Sequence, residues 1–220
     1  GVRGGSATVH FPIWHQEIED ILVLKNNKGS EDNRVRKLDY SIQITKLFYE
    51  RFIKNEDITL FSPNNVPGLY EAFGMPEFDD MYKKYEADET IPRITISAQE
   101  LFMDMLKERA ETGRIYIMNL DHCNTHSSFK DKIYMSNLCQ EITLPTIPIQ
   151  HIDDKEGEIA LCILSAINLG LINDPNELEE LCDLSVRALD EIIDYQEYPV
   201  EAAKISTQAR RSLGIGYIGL

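Results

Sequence analysis

Ser136-Asn137-Leu138-Cys139-Gln140-Glu141-Ile142-Thr143-Leu144-Pro145-Thr146 carries the densest chemistry in the chain. An amide, a thiol and a carboxylate stand at positions i, i+2 and i+4: Asn137, Cys139 and Glu141. An extended backbone sends successive side chains to opposite faces. The spacing therefore predicts these three on one face, with Leu138 and Gln140 on the other. Such a trio suits work on a hydroxylated carbon: the thiol removes a hydrogen, the carboxylate accepts a proton and the amide holds the oxygen.

Outward from this stretch, strands alternate with helices. Ala7 to Pro12 has strand composition after a glycine-rich turn. Trp14 to Leu24 and Asp39 to Lys54 both place apolar residues at helical spacing, the second with Ile42, Ile44, Leu47, Phe48 and Phe52. Ile58 to Phe61 reads as a short strand. Pro67 and Pro76 each suit the first turn of a helix. Ser97-Ala98-Gln99-Glu100 is a capping box that opens a helix, Gly113 stops it, and Arg114 to Leu120 reads as a strand. Downstream of the cysteine motif, Glu158 to Ser165 reads as a buried strand containing Cys162. Asp174-Pro175-Asn176-Glu177 starts a helix that runs to about Gln196, with Leu178, Leu181, Leu184, Leu189 and Ile192 on its buried face. This order predicts an α/β protein with mainly parallel strands.

Composition narrows the function classes. The chain has 220 residues, enough for a sizeable core, and a formal net charge of −15. That charge argues against a nucleic-acid or anionic-membrane surface. It leaves nucleotide binding open, since backbone N–H groups and a few placed cations suffice for that. No stretch is long and apolar enough to cross a membrane as a helix, and no signal peptide is visible, so a cytoplasmic protein is expected. The four cysteines, Cys123, Cys139, Cys162 and Cys182, form no C-x-x-C motif. Both ends read as cut, which leads to the expectation of an internal piece of a longer protein.

The motif and its flanks together resemble the large, catalytic subunit of class I ribonucleotide reductase. The resemblance runs from Val2-Arg3-Gly4-Gly5 through Ile115-Tyr116-Ile117-Met118-Asn119 and Asp121-His122-Cys123-Asn124, past the cysteine motif, to Arg211-Ser212-Leu213-Gly214-Ile215-Gly216. It implies that residues 1–220 are the central portion of a ten-stranded α/β catalytic barrel, incomplete at both ends. It also implies a radical cysteine on a finger loop through the barrel centre. Under it, Cys139 becomes a thiyl radical that abstracts the ribose 3′ hydrogen, Glu141 accepts the 3′-hydroxyl proton and Asn137 hydrogen-bonds the substrate. Cys162 becomes one thiol of a redox pair whose partner lies outside the chain. Arg3, Gly4 and Gly5 become a loop linking an effector site to the substrate base.

For the whole enzyme the resemblance implies a ribonucleoside diphosphate substrate and ATP or deoxynucleotide effectors. It further implies a small radical-generating metal subunit, thioredoxin or glutaredoxin as reductant, and a homodimer. No cofactor bound by this segment is expected.

Plainer readings stand beside these. Taken alone, Cys139 and Cys162 would be small buried hydrophobes, and Asn137 and Glu141 solvated loop residues. Arg3-Gly4-Gly5 would be a plain surface loop at a frayed end. Cys182 reads as core on its amphipathic helix. His122, Cys123 and His126 read as a polar turn, not a metal site. Arg210 and Arg211 lack the Gly-Lys-Ser/Thr of a phosphate loop and read as structural. Two rival functions stand beside this one: a cobalamin-dependent relative with a similar core motif, and a non-catalytic or split-subunit piece active only with complementary chains.

Overall fold

A computed structural model describes residues 4–220. Arg3, one of the residues expected in the effector loop, lies outside the described residues. The chain divides into two compact units, one ending at Thr143 and one beginning at Leu144.

The first unit runs β1 (Thr8–Pro12), α1 (Ile18–Leu22), β2 (Asp39–Ile44), α2 (Lys46–Lys54), β3 (Asp57–Phe61), α3 (Leu69–Ala72), α4 (Phe78–Ala87), β4 (Arg93–Ser97), α5 (Ala98–Thr112), β5 (Ile115–Asn119) and α6 (Leu120–Thr125). β1, β2 and β5 form a parallel sheet with β2 at its centre, while β3 and β4 pair antiparallel. The register sets His10 beside Ser41 and Ser41 beside Tyr116. Alternation then splits the sheet into two unlike faces. One carries Val9, Phe11, Tyr40, Ile42, Ile44, Ile115 and Ile117, and it joins a core that includes Trp14, Phe48, Leu60, Phe61, Phe73, Tyr82 and Met105. The other carries Thr8, His10, Ser41 and Gln43, with Tyr116 and Met118 beside them on β5. Ser41 and Gln43 are 0 % exposed although polar, and they hold the cysteine-bearing loop described below.

Several expected elements form where the sequence places them. Ser97 Oγ accepts the Glu100 N–H at 3.4 Å and opens α5. Gly113 closes that helix at φ +67°, donating its N–H to Arg109 O at 2.8 Å. Two expected helices are corrected. Asp39 to Lys54 is a strand followed by a helix, broken at extended Thr45. Tyr40, Ile42 and Ile44 alternate with polar Ser41 and Gln43, a period of two that a count at helical spacing absorbs. In Trp14 to Leu24 only Ile18–Leu22 is helical. Trp14 is tied by its carbonyl to the Phe61 N–H at 2.9 Å, which keeps the first residues out of the helix.

The second unit holds β6 (Ile163–Asn168), α7 (Glu177–Tyr195), α8 (Glu201–Arg210) and β7 (Leu213–Ile218). β6 and β7 pair in parallel, as the helical crossover between them requires. Three expectations are corrected here. The strand begins at Ile163 rather than Glu158, because Glu158 is engaged in a bridge with Ile147 and Ile159 N–H bonds Ala202 O at 3.2 Å. α7 begins at Glu177: Asp174 Oδ1 accepts the Asn176 N–H at 3.0 Å and folds a turn ahead of the helix. On α7 the buried residues are Leu189 and Ile193, whereas Leu184, Ile192 and Cys182 are exposed. Seven strands form among the described residues, fewer than ten, as the strand count in the sequence led one to expect. No described helix is long and apolar enough to cross a membrane.

Candidate active site

Asn137, Cys139 and Glu141 do not lie on an extended strand. The backbone turns at Leu138 and Cys139, and Gln140 adopts the left-handed region at φ +68°. Asn137 N–H donates to Ile142 O at 3.2 Å, and Gln140 N–H to Asn137 O at 3.2 Å. Asn137 Oδ1 in turn accepts the Ile142 N–H at 3.0 Å. The asparagine thus closes the turn with its own side chain, as Asn does readily, and the alternation expected of an extended segment is lost. Cys139 and Glu141 project at the exposed tip, and Asn137 is half-buried. With its carbonyl oxygen spent on the turn, the Asn137 amide has N–H groups to offer a ligand.

The turn is carried by the polar face of the sheet. Thr8 Oγ1 donates to Leu138 O at 2.7 Å. Gln140 Nε2 bonds Ser41 Oγ at 3.2 Å. Gln43 Nε2 donates to Tyr134 O further back along the loop. His10 sits in this row with both ring nitrogens buried and no bond of good geometry to either. Burial holds its imidazole below the usual histidine range, with the Ser136 backbone pulling the other way.

The loop that leads into the turn is pinned from the side. Asn124 Nδ2 donates to Ile133 O at 3.0 Å while its Oδ1 accepts the Ile133 N–H at 2.8 Å. Lys132 Nζ donates to the carbonyls of Glu71 and Tyr70 at the end of α3. It also lies 4.4 Å over the ring of Tyr134, which stacks on Tyr70. Burial pulls the Lys132 ammonium down to about 8, partly opposed by Glu71 and Glu77.

A cleft of about 360 Å³ opens beside the turn. It is lined by Ile117, Asn119, His122, Cys123, His126, Gln140 and Thr143 among others. His122 and His126 face each other at 5.7 Å on α6 and the residue after it, which replaces the expected polar turn with a short helix. Burial, and Asp121 nearby, push the Cys123 thiol up. Among the described residues no group of three His, Cys, Asp or Glu side chains is placed to hold a metal ion.

Cys162 belongs to the second unit, half-buried one residue before β6. A Cβ built on Gly214 of β7 would stand 2.6 Å from Leu164 Cδ2 and 3.3 Å from the Cys162 sulfur. Arg210 and Arg211 are taken up structurally. Arg210 pairs with Glu158 at 2.8 Å, and Arg211 with Asp190 and Asp194 at 2.6 and 3.0 Å. At Gly4 and Gly5 an added Cβ would meet nothing within 4 Å, so no close contact demands glycine there.

The expected trio is therefore brought together on one turn. The sequence reading missed what holds it: Thr8, Ser41, Gln43 and Gln140. The signal was present in Asp39-Tyr40-Ser41-Ile42-Gln43-Ile44, whose polar members sit at a period of two inside an otherwise apolar run.

The site is thus a cysteine turn gripped by the polar face of a parallel sheet in an α/β fold. The profile of the ribonucleotide reductase barrel domain matches residues 1–220, and the chain belongs to that family. Its α/β architecture is part of that barrel. The chain is similar to the ribonucleoside-diphosphate reductase subunit alpha of Haemophilus influenzae, at 61 % identity over 99 % of this chain and 30 % of that protein. It is also similar to the subunit alpha of Buchnera aphidicola from Schizaphis graminum, at 60 % over 99 % and 29 %. With ribonucleoside-diphosphate reductase 1 subunit alpha of Escherichia coli the identity is 59 % over 99 % and 29 %. The chain thus spans about three tenths of the length of these relatives.

Proposed function

We propose that this chain is the central catalytic-barrel portion of a ribonucleoside-diphosphate reductase, reducing ribonucleotides to 2′-deoxyribonucleotides. The observation that carries the reading is the Asn137–Cys139–Glu141 turn, held on the polar face of a parallel sheet. A Cys139 thiyl radical takes the ribose 3′ hydrogen. The Glu141 carboxylate accepts the proton of the 3′ hydroxyl, and the Asn137 amide N–H donates to the oxygen left behind. The 2′ hydroxyl then departs as water with one proton from the pair formed by Cys162 and a second thiol of the full protein. That pair supplies the other hydrogen and the two electrons to the 2′ carbon and closes as a disulfide, and Cys139 returns its hydrogen to the 3′ carbon.

The remaining needs lie outside this chain. A small metal-containing subunit supplies the radical, thioredoxin or glutaredoxin reopens the disulfide, and ATP or deoxynucleotides act as effectors on a homodimer. Arg3, Gly4 and Gly5 belong to the loop joining effector to substrate base, and the protein works in the cytoplasm. The experiment is Cys139→Ser in the full-length protein, assayed with its radical-generating partner and a diphosphate substrate. Deoxynucleotide formation should vanish while circular dichroism and thermal unfolding stay as in the wild type. Appreciable turnover by the variant refutes the radical assignment.

A further inference from the structure

Cys139 is gripped on both sides. Its predecessor, Leu138, is held through its carbonyl by Thr8 Oγ1, and its successor, Gln140, is held through its side chain by Ser41 Oγ. Both anchors stand on the polar face of the sheet, half-buried Thr8 on β1 and buried Ser41 on the central strand β2. Ser41 is fully buried, so its hydroxyl has no bulk water to exchange this bond for.

Gln140 is also the wrong residue for its backbone. At φ +68° a side chain with a Cβ is crowded, and glycine or asparagine is the usual occupant. A glycine would relieve the crowding but could not reach Ser41. The chain carries instead a long amide that spans to the sheet.

We infer that Thr8, Ser41 and Gln140 are positioning residues for the reductase reaction, fixing the height and direction of the Cys139 thiol by bracketing it from both neighbours. The inference rests on the function proposed above. Hydrogen transfer between carbon and sulfur is steep in distance, and a misplacement of about 1 Å can cost on the order of a hundredfold. The bracket acts on that step and leaves substrate binding alone.

Gln140→Gly is the informative substitution, because strain relief and loss of the tether push opposite observables. In the full-length enzyme its unfolding temperature should change little, because relief of the crowding at φ +68° offsets the buried Ser41 hydroxyl left without its partner. Its kcat should fall about tenfold or more, with KM for the diphosphate within about twofold. The isotope effect from a 3′-deuterated substrate should rise, since hydrogen abstraction becomes slower relative to the other steps. Ser41→Ala should show the same kinetic pattern. The Ser41→Ala, Gln140→Gly pair should be no worse than the poorer single variant, because both remove one bond. Ser41→Thr, which keeps the hydroxyl, should restore most of kcat.

The inference is overturned if Gln140→Gly keeps its kcat and isotope effect, if it loses kcat only together with thermal stability, or if the two losses multiply. Wild type and Cys139→Ser are run in parallel. An active wild type, a dead Cys139→Ser and normal tether variants dispose of the bracket and leave the proposed function standing. A wild type without reductase activity removes the proposed function and the bracket with it.

Discussion

At the scale of single residues, the motif does more than present three functional groups. Asn137 spends its carbonyl oxygen on the Ile142 N–H and closes the turn with it. What is left for chemistry is the donor half of the amide, which suits an oxygen that gains negative charge. Glu141 takes no part in closing the turn and stays exposed at its tip. Its carboxylate is available as a base. Glu141→Gln keeps the shape and removes the proposed proton acceptor. In the full-length enzyme kcat should fall at least about a hundredfold, the lower range for a lost general base. Steady-state kinetics with the diphosphate substrate measures it, and a near-normal rate means that Glu141 only shapes the loop.

At the scale of elements, two short loops are built by side chains that replace secondary structure. The cysteine turn is one. The other spans Gln150 to Gly157 and is organised by Asp154. Its Oδ2 accepts the Gln150 N–H at 2.9 Å, and its Oδ1 accepts those of Glu156 at 2.8 Å and Gly157 at 3.3 Å. These bonds hold the carboxyl below the usual aspartate range, since they favour the charged form. The folded pKa is the lower of the two states, so the stabilisation is complete above the unfolded value of about 3.9 and is lost as pH falls through the folded one. Denaturant unfolding of wild type and Asp154→Ala should therefore show a stability gap that is constant near neutrality and narrows below about pH 4. A gap that persists to about pH 2 would show that Asp154 acts through something other than its charge.

At the scale of the whole molecule, the two units are unequally equipped. The first has a continuous core around Trp14, Phe48, Phe61 and Tyr82. In the second, the buried apolar side chains include Leu189, Ile193, Ala202 and Ala203, while Leu164, Leu171 and Ile218 are more than half exposed. A parallel strand pair normally has both faces covered and is marginal alone. In the 220-residue chain, amide protons of β6 and β7 should exchange with solvent well before those of β2 and β5, as hydrogen–deuterium exchange can show. Equal protection would mean that the second unit is self-sufficient. In the full-length enzyme, Cys162→Ser should end multiple turnover with thioredoxin while hydrogen abstraction by Cys139 survives. Sustained thioredoxin-driven turnover by that variant would refute the redox role.

What the sequence determined by itself is the local chemistry. The α/β class, the capped start and glycine stop of α5, and the grouping of Asn137, Cys139 and Glu141 are properties of residues close together in the chain, where spacing and propensity act directly. The Asp39 to Lys54 segment marks the limit. Its apolar residues fit a helix by count, yet pairing with β1 on one side and β5 on the other makes its first half the central strand, and that pairing joins residues far apart in sequence. The seating of the cysteine turn was decided in the same way. Bonds between Asn137 and Ile142 close the turn locally. Thr8, Ser41 and Gln43, on strands roughly a hundred or more residues earlier in the chain, supply the partners that seat it on the sheet. Hydrogen bonds to buried groups are worth most where water cannot compete, and only the folded sheet creates that place.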